Sequence, residues 1–267
     1  MKKILLILLL LSNFVFAQNI SFVYELKYKP DSNKDSLLTE VYYLDVLGNQ
    51  SVFRSEQARI SDSLKYNMGF RGIEKITFTE LYVIKNRESK EIIKNITTPL
   101  MNDLYFIRLK DHIDWQILND IQKIDNIDSQ KATTNYGGRD WTAWFDKNTL
   151  IQDGPYVFQG LPGLIVKLYD DKGDYDFNLM EIKNNKDHQL FYLRKGKEIS
   201  WDIYKKLQYN YYSDPFSEIK NRGIKYKIGD QNGNPVDMNL KQMTENIQKK
   251  MRENNNPIEL NHKIEYK

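Results

Sequence analysis

Alternation of apolar and polar positions dominates the chain between residues 20 and 194. In Phe22–Tyr28 every second residue is large and apolar, which is the period of a half-buried strand. The same kind of pattern predicts further strands at Val41–Val46, Ile76–Ile84, Leu104–Leu109, Ile113–Ile117, Lys131–Tyr136, Arg139–Asp146, Leu164–Tyr169, Tyr175–Ile182 and Gln189–Arg194. Turn residues separate several of them, at Gly48-Asn49, Gly137-Gly138 and Lys172-Gly173-Asp174. The pattern therefore predicts a long antiparallel meander.

Helical periodicity is concentrated late in the chain. Ser200 is placed to cap a helix over Trp201–Tyr211, and Asp237 to cap a second one over Met238–Met251. A weaker pattern predicts a helix at Glu56–Tyr66. The predicted fold class is mainly β (α+β): a strongly curved antiparallel sheet or half-barrel with a few helices packed against it, similar in outline to periplasmic lipoprotein carriers.

The first residues have the pattern of a secretory signal peptide. Lys2 and Lys3 precede the apolar run Ile4–Leu11, and Val15-Phe16-Ala17 fits a cleavage site. We expect residues 1–17 to be this peptide and residues 18–267 to be a single β-rich domain in the periplasm. Since no second long apolar run follows, the mature chain is expected to have no transmembrane segment.

Composition narrows the possible chemistry. The absence of cysteine excludes disulfides and thiolate nucleophiles, and 39 basic against 36 acidic residues gives no strongly basic character for nucleic-acid binding. Three widely separated histidines predict no zinc site, and no Gly-x-Ser-x-Gly motif is present. We therefore expect no cofactor, no metal and no catalytic residue, although a hidden carboxylate pair stays open as an alternative.

A set of ordered motifs lies in the second half of the chain. They are Lys131-Ala132-Thr133, Gly138-Arg139, Trp141-Thr142-Ala143-Trp144, Gly154-Pro155, Gly160–Ile165 and, near the end, Asn256–Leu260. This arrangement resembles the GLPGLI family of exported Bacteroidota proteins. The resemblance implies export and an association with TonB-dependent outer-membrane receptors, without an established biochemical activity.

The tag Gly160-Leu161-Pro162-Gly163-Leu164-Ile165 predicts a preset turn that leads into a strand, because Pro162 fixes its own φ and glycine tolerates close backbone approach. Two interpretations remain open: the turn and its aromatic neighbours form a folding core, or they line a binding groove. Arg139 is likewise either a buried structural partner or a ligand clamp. The candidate binding residues are Arg139, Trp141, Trp144, Phe158, Gly160, Leu161, Pro162, Gly163, Leu164 and Ile165.

The sequence thus favours an exported, non-enzymatic binding or accessory protein. The expected partner is a hydrophobic or peptide ligand, or an outer-membrane TonB-dependent receptor. A carboxylate-based periplasmic hydrolase and a structural envelope component without a ligand are the alternatives.

Overall fold

The structure is a computed structural model that describes residues 19–69, 76–110, 112–186, 189–223, 228–229, 235–236 and 239–267. The predicted signal peptide lies outside the described residues, as do Asp237 and Met238. The signal peptide therefore stays a prediction.

One large sheet dominates the described residues. Its strands are β1 (Ile20–Tyr28), β2 (Leu38–Leu47), β3 (Gln50–Ser55), β4 (Tyr82–Asn86), β5 (Glu91–Thr97), β6 (Leu104–Leu109), β7 (Gln116–Ile124), β8 (Ile127–Tyr136), β9 (Arg139–Asp146), β10 (Leu164–Asp170), β11 (Tyr175–Asn184) and β12 (Lys197–Glu198). A separate small hairpin joins β13 (Ile228–Gly229) and β14 (Pro235–Val236). The chain is mainly β, as predicted.

The sheet is two meanders joined side by side. Its strand order is β12-β6-β5-β4-β3-β2-β1-β11-β10-β9-β8-β7, so β1 pairs with β11 and joins the two halves. Neighbouring strands are antiparallel except β12 and β6, which are parallel. The predicted turns at Gly48, Gly137-Gly138 and Gly173 are confirmed, since all four glycines adopt positive φ between paired strands.

The contacts of a single carboxylate, that of Glu259, show that the sheet is curved. Glu259 accepts hydrogen bonds from Lys94 on β5 (3.1 Å) and from Tyr136 on β8 (3.2 Å). These strands stand eight positions apart in the strand order, which in a flat sheet would separate them by about 38 Å. Two side chains cannot bridge that distance, so the sheet curls around the segment that carries Glu259.

The helices are α1 (Glu56–Met68), α2 (Trp201–Ser213), α3 (Ser217–Asn221) and α4 (Leu240–Glu253), and a 3₁₀ turn covers Leu260–His262. Ser200 caps α2 as predicted, because its hydroxyl accepts a hydrogen bond from the backbone N–H of Ile203. The prediction of Asp237 as the cap of α4 was wrong: the helix begins at Leu240, and its cap is Asn239, whose side chain accepts from the N–H of Gln242. The prediction of α1 is also confirmed, with Ser55 as its cap.

Several strand predictions were wrong. Residues 76–81 and Gln189–Arg194 are not strands, and Ile113–Ile117 overlaps β7 only at its end. Leu190 and Phe191 nevertheless lie buried against Val52 and Tyr82. Their apolar pattern therefore reflects a segment that covers the outer face of the sheet without pairing in it.

The concave face holds the main core. Inward side chains such as Phe22, Leu44, Phe53 and Phe177 have almost no exposed surface. The loop between β9 and β10, residues 147–163, fills part of this concavity with Tyr156, Val157, Phe158 and Leu161, which are equally buried. The C-terminal segment, residues 254–267, follows α4. At the other side of the concavity, this segment, α2 and α4 pack against each other and against the sheet.

Candidate functional site

The loop of residues 147–163, called the inner loop below, fills part of the concavity. The Gly160–Ile165 tag forms the end of this loop and the start of β10. Leu161, Leu164 and Ile165 are buried, whereas Gly160 and Pro162 are exposed. Ile165 accepts a hydrogen bond at its carbonyl from the hydroxyl of Tyr24, at 2.7 Å. The apolar residues of the tag are therefore part of the packed core.

Gly163 shows why this turn needs glycine. A Cβ atom at this position would stand 2.0 Å from the carbonyl oxygen of Asp146, a backbone atom that is itself fixed in β9. No side chain fits at that distance. Gly160, by contrast, has positive φ, but a Cβ atom added there would meet no other atom within 4 Å.

The aromatic candidates pack around the same loop. The ring of Phe158 lies 4.7 Å from that of Trp141 and 5.5 Å from that of Tyr136, measured between centroids. The indole N–H of Trp141 donates to the carbonyl of Tyr136 at 3.1 Å. Trp144 is also buried, at 8% exposure. The rings of Tyr136 and Trp141 hold Phe158 and its loop in the concavity, and their packing leaves little surface for a ligand.

Arg139 is fully buried and ion-paired. Its Nη1 donates to Asp170 at 2.7 Å and to Asp174 at 2.9 Å, so the guanidinium spans the turn between β10 and β11. It also lies over the ring of Tyr175, 5.0 Å from the centroid. The structure places Arg139 in the role of a buried structural partner.

The other side of the same guanidinium holds the C-terminal segment. Nη2 donates to the side-chain oxygen of Asn256 at 2.6 Å and to the carbonyl of Pro257 at 2.9 Å, and Nε donates to the carbonyl of Ile258 at 3.2 Å. At Gly137 an added Cβ would stand 2.8 Å from that same Ile258 carbonyl. Two motifs more than a hundred residues apart in sequence, Gly138-Arg139 and Asn256–Leu260, therefore meet in the structure.

A cavity of about 110 Å³ lies beside this junction, between the concave face of the sheet, α2, α4 and the C-terminal segment. Aromatic rings line it from three sides: Tyr28, Tyr42 and Tyr175 from the sheet, Trp201 and Tyr204 from α2, and Tyr266 from the C-terminal segment. None of the ten residues singled out from the sequence lines this cavity. The best candidate site therefore does not include the tag, and it lies along the C-terminal segment.

Glu259 and Lys94 are the buried charged pair of this cavity. Glu259 accepts from Lys94 at 3.1 Å, from Tyr156 at 2.5 Å and from Tyr136 at 3.2 Å. Burial on its own would raise the pKa of the Glu259 carboxyl, but the Lys94 ammonium and the two hydroxyls outweigh it and hold this pKa below its usual value. Burial, reinforced by the Glu259 charge, raises the pKa of Tyr156 well above its ordinary value.

A second buried pair anchors the inner loop. Lys85 on β4 forms an ion pair with Asp153 and donates to the carbonyl of Gly154 at 2.7 Å. Asp153 also accepts from the hydroxyl of Ser51, at 2.6 Å. Complete burial lowers the pKa of Lys85 despite the neighbouring carboxylate. This pair lies away from the cavity and fixes the loop to the sheet.

Sequence reasoning missed the residues that build the cavity, although one signal was present. Lys94 occupies an apolar position in the alternation Ile92, Lys94, Ile96, and all three side chains are buried. A charge on the apolar face of a strand indicates a buried partner. Its partner, Glu259, lies in the motif Asn256–Leu260, but it was not among the ten candidate binding residues.

The described residues contain neither a cluster of metal ligands nor a membrane-spanning helix. No group of three or more His, Asp or Glu side chains there is arranged to hold a metal ion. Among the same residues, no helix combines the length and the apolar character that crossing a bilayer requires.

Comparison with known proteins gives information on the fold alone. No protein-family model matches the chain, and no curated protein matches it by sequence. Two crystal structures of PNGF-II, in space groups C2 and P21, are similar, with TM-scores of 0.52 and 0.50 and sequence identities of 14% and 16%. Each match covers 72% of this chain and 33% of PNGF-II, so this chain spans about a third of that protein's length. The similarity supports the β-rich fold.

Proposed function

We propose that this chain is an exported, non-enzymatic binding protein of the GLPGLI type that holds a small ligand in the cavity between sheet and helices. The observation that carries the proposal is the cavity itself. It is concave, more than half of its lining residues are aromatic or aliphatic, and the remaining ones are polar or charged. Binding sites for small molecules have this composition.

The carboxylate chemistry favours binding over hydrolysis. A general acid needs a carboxyl whose pKa is raised toward the working pH. The pKa of Glu259 moves the other way, and its oxygens are occupied by Lys94, Tyr156 and Tyr136. A structural component without a ligand is the weaker alternative, because its interior would be packed throughout.

The cellular setting of the proposal rests on the sequence. The N-terminal pattern supports export to the periplasm, and the resemblance to the GLPGLI family supports an accessory role beside a TonB-dependent outer-membrane receptor. In that role the protein would hold its ligand close to the receptor.

Native mass spectrometry of protein purified from its own envelope tests the proposal. Thr77 lies in the wall of the cavity, and a tryptophan there would fill the space. We therefore expect wild type to carry a bound small molecule and Thr77→Trp to lose it. Thr133→Trp is the matched control, since Thr133 is also half-buried but lies on β8 away from the cavity. A wild-type protein without any bound molecule, or equal occupancy in all three proteins, would overturn the cavity as a binding site.

An affinity pull-down of the tagged protein from gently solubilised envelopes tests the accessory role separately. We expect stoichiometric recovery of an outer-membrane receptor. Recovery of the protein alone would remove the accessory role and leave a stand-alone binding protein.

A further inference from the structure

The charged side chains around the cavity neutralise one another. Glu259 is paired with Lys94, and Glu80 with Arg194 at 3.1 Å. Lys263, at the outer part of the wall, lies 3.8 Å from Glu265. Each charge that lines the cavity therefore has an opposite charge beside it.

This pairing disfavours a charged ligand. An anion would have to compete with Glu259 for Lys94, and a cation would have to compete with Lys94 for Glu259. Either ligand would leave one buried charge without its partner, which is strongly unfavourable.

The tyrosines of the sheet offer ring surface more than hydroxyl groups. The hydroxyls of Tyr28 and Tyr42 both donate to Glu40, at 2.9 and 3.1 Å, and that of Tyr175 donates to the carbonyl of Asn256. Because these donors are already used, the rings present apolar faces and edges. Aromatic surfaces of this kind favour a flat ring, which stacks or packs edge to face.

Neutral hydrogen-bond acceptors lie at the C-terminal side of the same wall. Asn254 and Asn255 each spend the side-chain NH₂ on a backbone carbonyl, of Lys250 and of Ile264, at 2.8 and 2.7 Å. Both residues line the cavity, and with their NH₂ groups used, the side-chain oxygens are the atoms that can accept from a ligand. A hydroxyl group on the ligand would satisfy them.

The volume of the cavity limits the size of the ligand. A volume of about 110 Å³ is smaller than the roughly 150 Å³ of an apolar cavity known to hold benzene. The cavity therefore takes at most one ring, and a substituent on that ring has to extend to the open side of the cavity.

We propose that the cavity takes an uncharged single-ring molecule that carries a hydroxyl group, the aryl alcohol class, and discriminates against ring compounds with a net charge. This inference rests on the proposed binding function and names its ligand class. The rings select the flat body, the asparagine oxygens select the hydroxyl, and the Lys94–Glu259 pair excludes charge.

Three probes of nearly equal size test the proposal at neutral pH: benzyl alcohol (uncharged), benzoate (anionic) and benzylamine (cationic). Dissociation constants are measured by ligand-observed NMR on wild type, Thr77→Trp and the control Thr133→Trp. We expect benzyl alcohol to bind wild type and Thr133→Trp at least tenfold more tightly than either ion, and Thr77→Trp to lose that binding. Binding of an ion as tight as that of the alcohol would overturn the charge argument and leave the proposed function standing.

A charge variant probes the excluding pair directly. Glu259→Gln keeps the shape of the side chain and leaves Lys94 without a counter-ion, so benzoate is expected to gain at least fivefold in affinity relative to benzyl alcohol. An unchanged ratio in a folded variant would contradict the role of the pair. Should this variant fail to fold, the ranking of the probes on wild type decides.

Failure of the inference and failure of the proposed function are distinguishable. If none of the probes binds but the native protein carries a different small molecule, the ligand class is wrong and the binding function holds. If none binds and the native protein carries nothing, both are overturned.

Discussion

At the scale of single residues, Arg139 shows how one side chain joins distant parts of the chain. It contacts Asp170 and Asp174 on one side and the segment from Asn256 on the other, with no exposed surface. We expect Arg139→Met to lower the free energy of unfolding by about 3–5 kcal/mol, because two buried carboxylates lose their cation. Urea denaturation followed by tryptophan fluorescence measures this change.

Arg108→Met is the matched control for that substitution. Arg108 pairs with Glu91 and, at 3.4 Å, with Glu198, but its side chain is 39% exposed. An exposed ion pair contributes little, so the control should change stability by less than about 1 kcal/mol. Equal effects of the two substitutions would argue against a structural role for the buried guanidinium.

Gly163 supports a second prediction at this scale. We expect Gly163→Ala to cost about 3 kcal/mol, since its methyl group would overlap the carbonyl of Asp146 and force the backbone of β9 to move. Gly160→Ala should cost only about 1–2 kcal/mol, the strain of a positive φ in open space. Thermal melting of both variants checks the order, and a larger loss at Gly160 would contradict it.

At the scale of elements, the C-terminal segment behaves as a structural unit that closes the concave face. Ile258 is 1% exposed within the main core. Ile258→Ala should destabilise the protein by about 2–5 kcal/mol through the cavity it leaves. Hydrogen exchange should then accelerate at residues 256–262 and at the turn 136–139, which the segment contacts. Unchanged exchange at the turn would show that the two are not coupled.

Local sequence patterns predicted the elements whose neighbours are close in the chain. β6 and β9 have the predicted bounds, and α2 begins at the predicted cap, because alternation and capping are properties of a few adjacent residues. β5 was missed because Lys94 and Asn95 interrupt its apolar pattern. Its inward lysine is explained only by Glu259, 165 residues further on.

The candidate site shows the same limit. The motif residues around Arg139 and Gly160 were recognisable as a group, and the structure places the apolar ones in the core. The cavity instead collects residues from β1, β2, β5, β11, α2, α4 and the C-terminal segment. No local pattern brings these together, since they become neighbours only when the sheet curves.

At the scale of the whole molecule, burial of tyrosine hydroxyls predicts how stability depends on alkaline pH. Among the residues that the structure describes, eight tyrosines have a raised pKa, with burial as the main cause: Tyr24, Tyr28, Tyr42, Tyr82, Tyr156, Tyr175, Tyr204 and Tyr266. For Tyr266, at the cavity, burial raises the pKa to about 12. In the unfolded chain all of them ionise near pH 10.

The sign follows from this difference. A group whose pKa is higher in the folded state contributes stability that is fully present below the unfolded pKa and is lost as the pH rises through the folded value. We therefore expect the free energy of unfolding to fall steeply above about pH 10. The ultraviolet absorbance of tyrosinate should show a late step, above about pH 10, that coincides with the loss of circular dichroism. The same titration in concentrated urea is the control and should show a single step near pH 10. A single step in the absence of urea, with the circular dichroism still intact, would contradict the buried hydroxyl network on which both the core and the cavity depend.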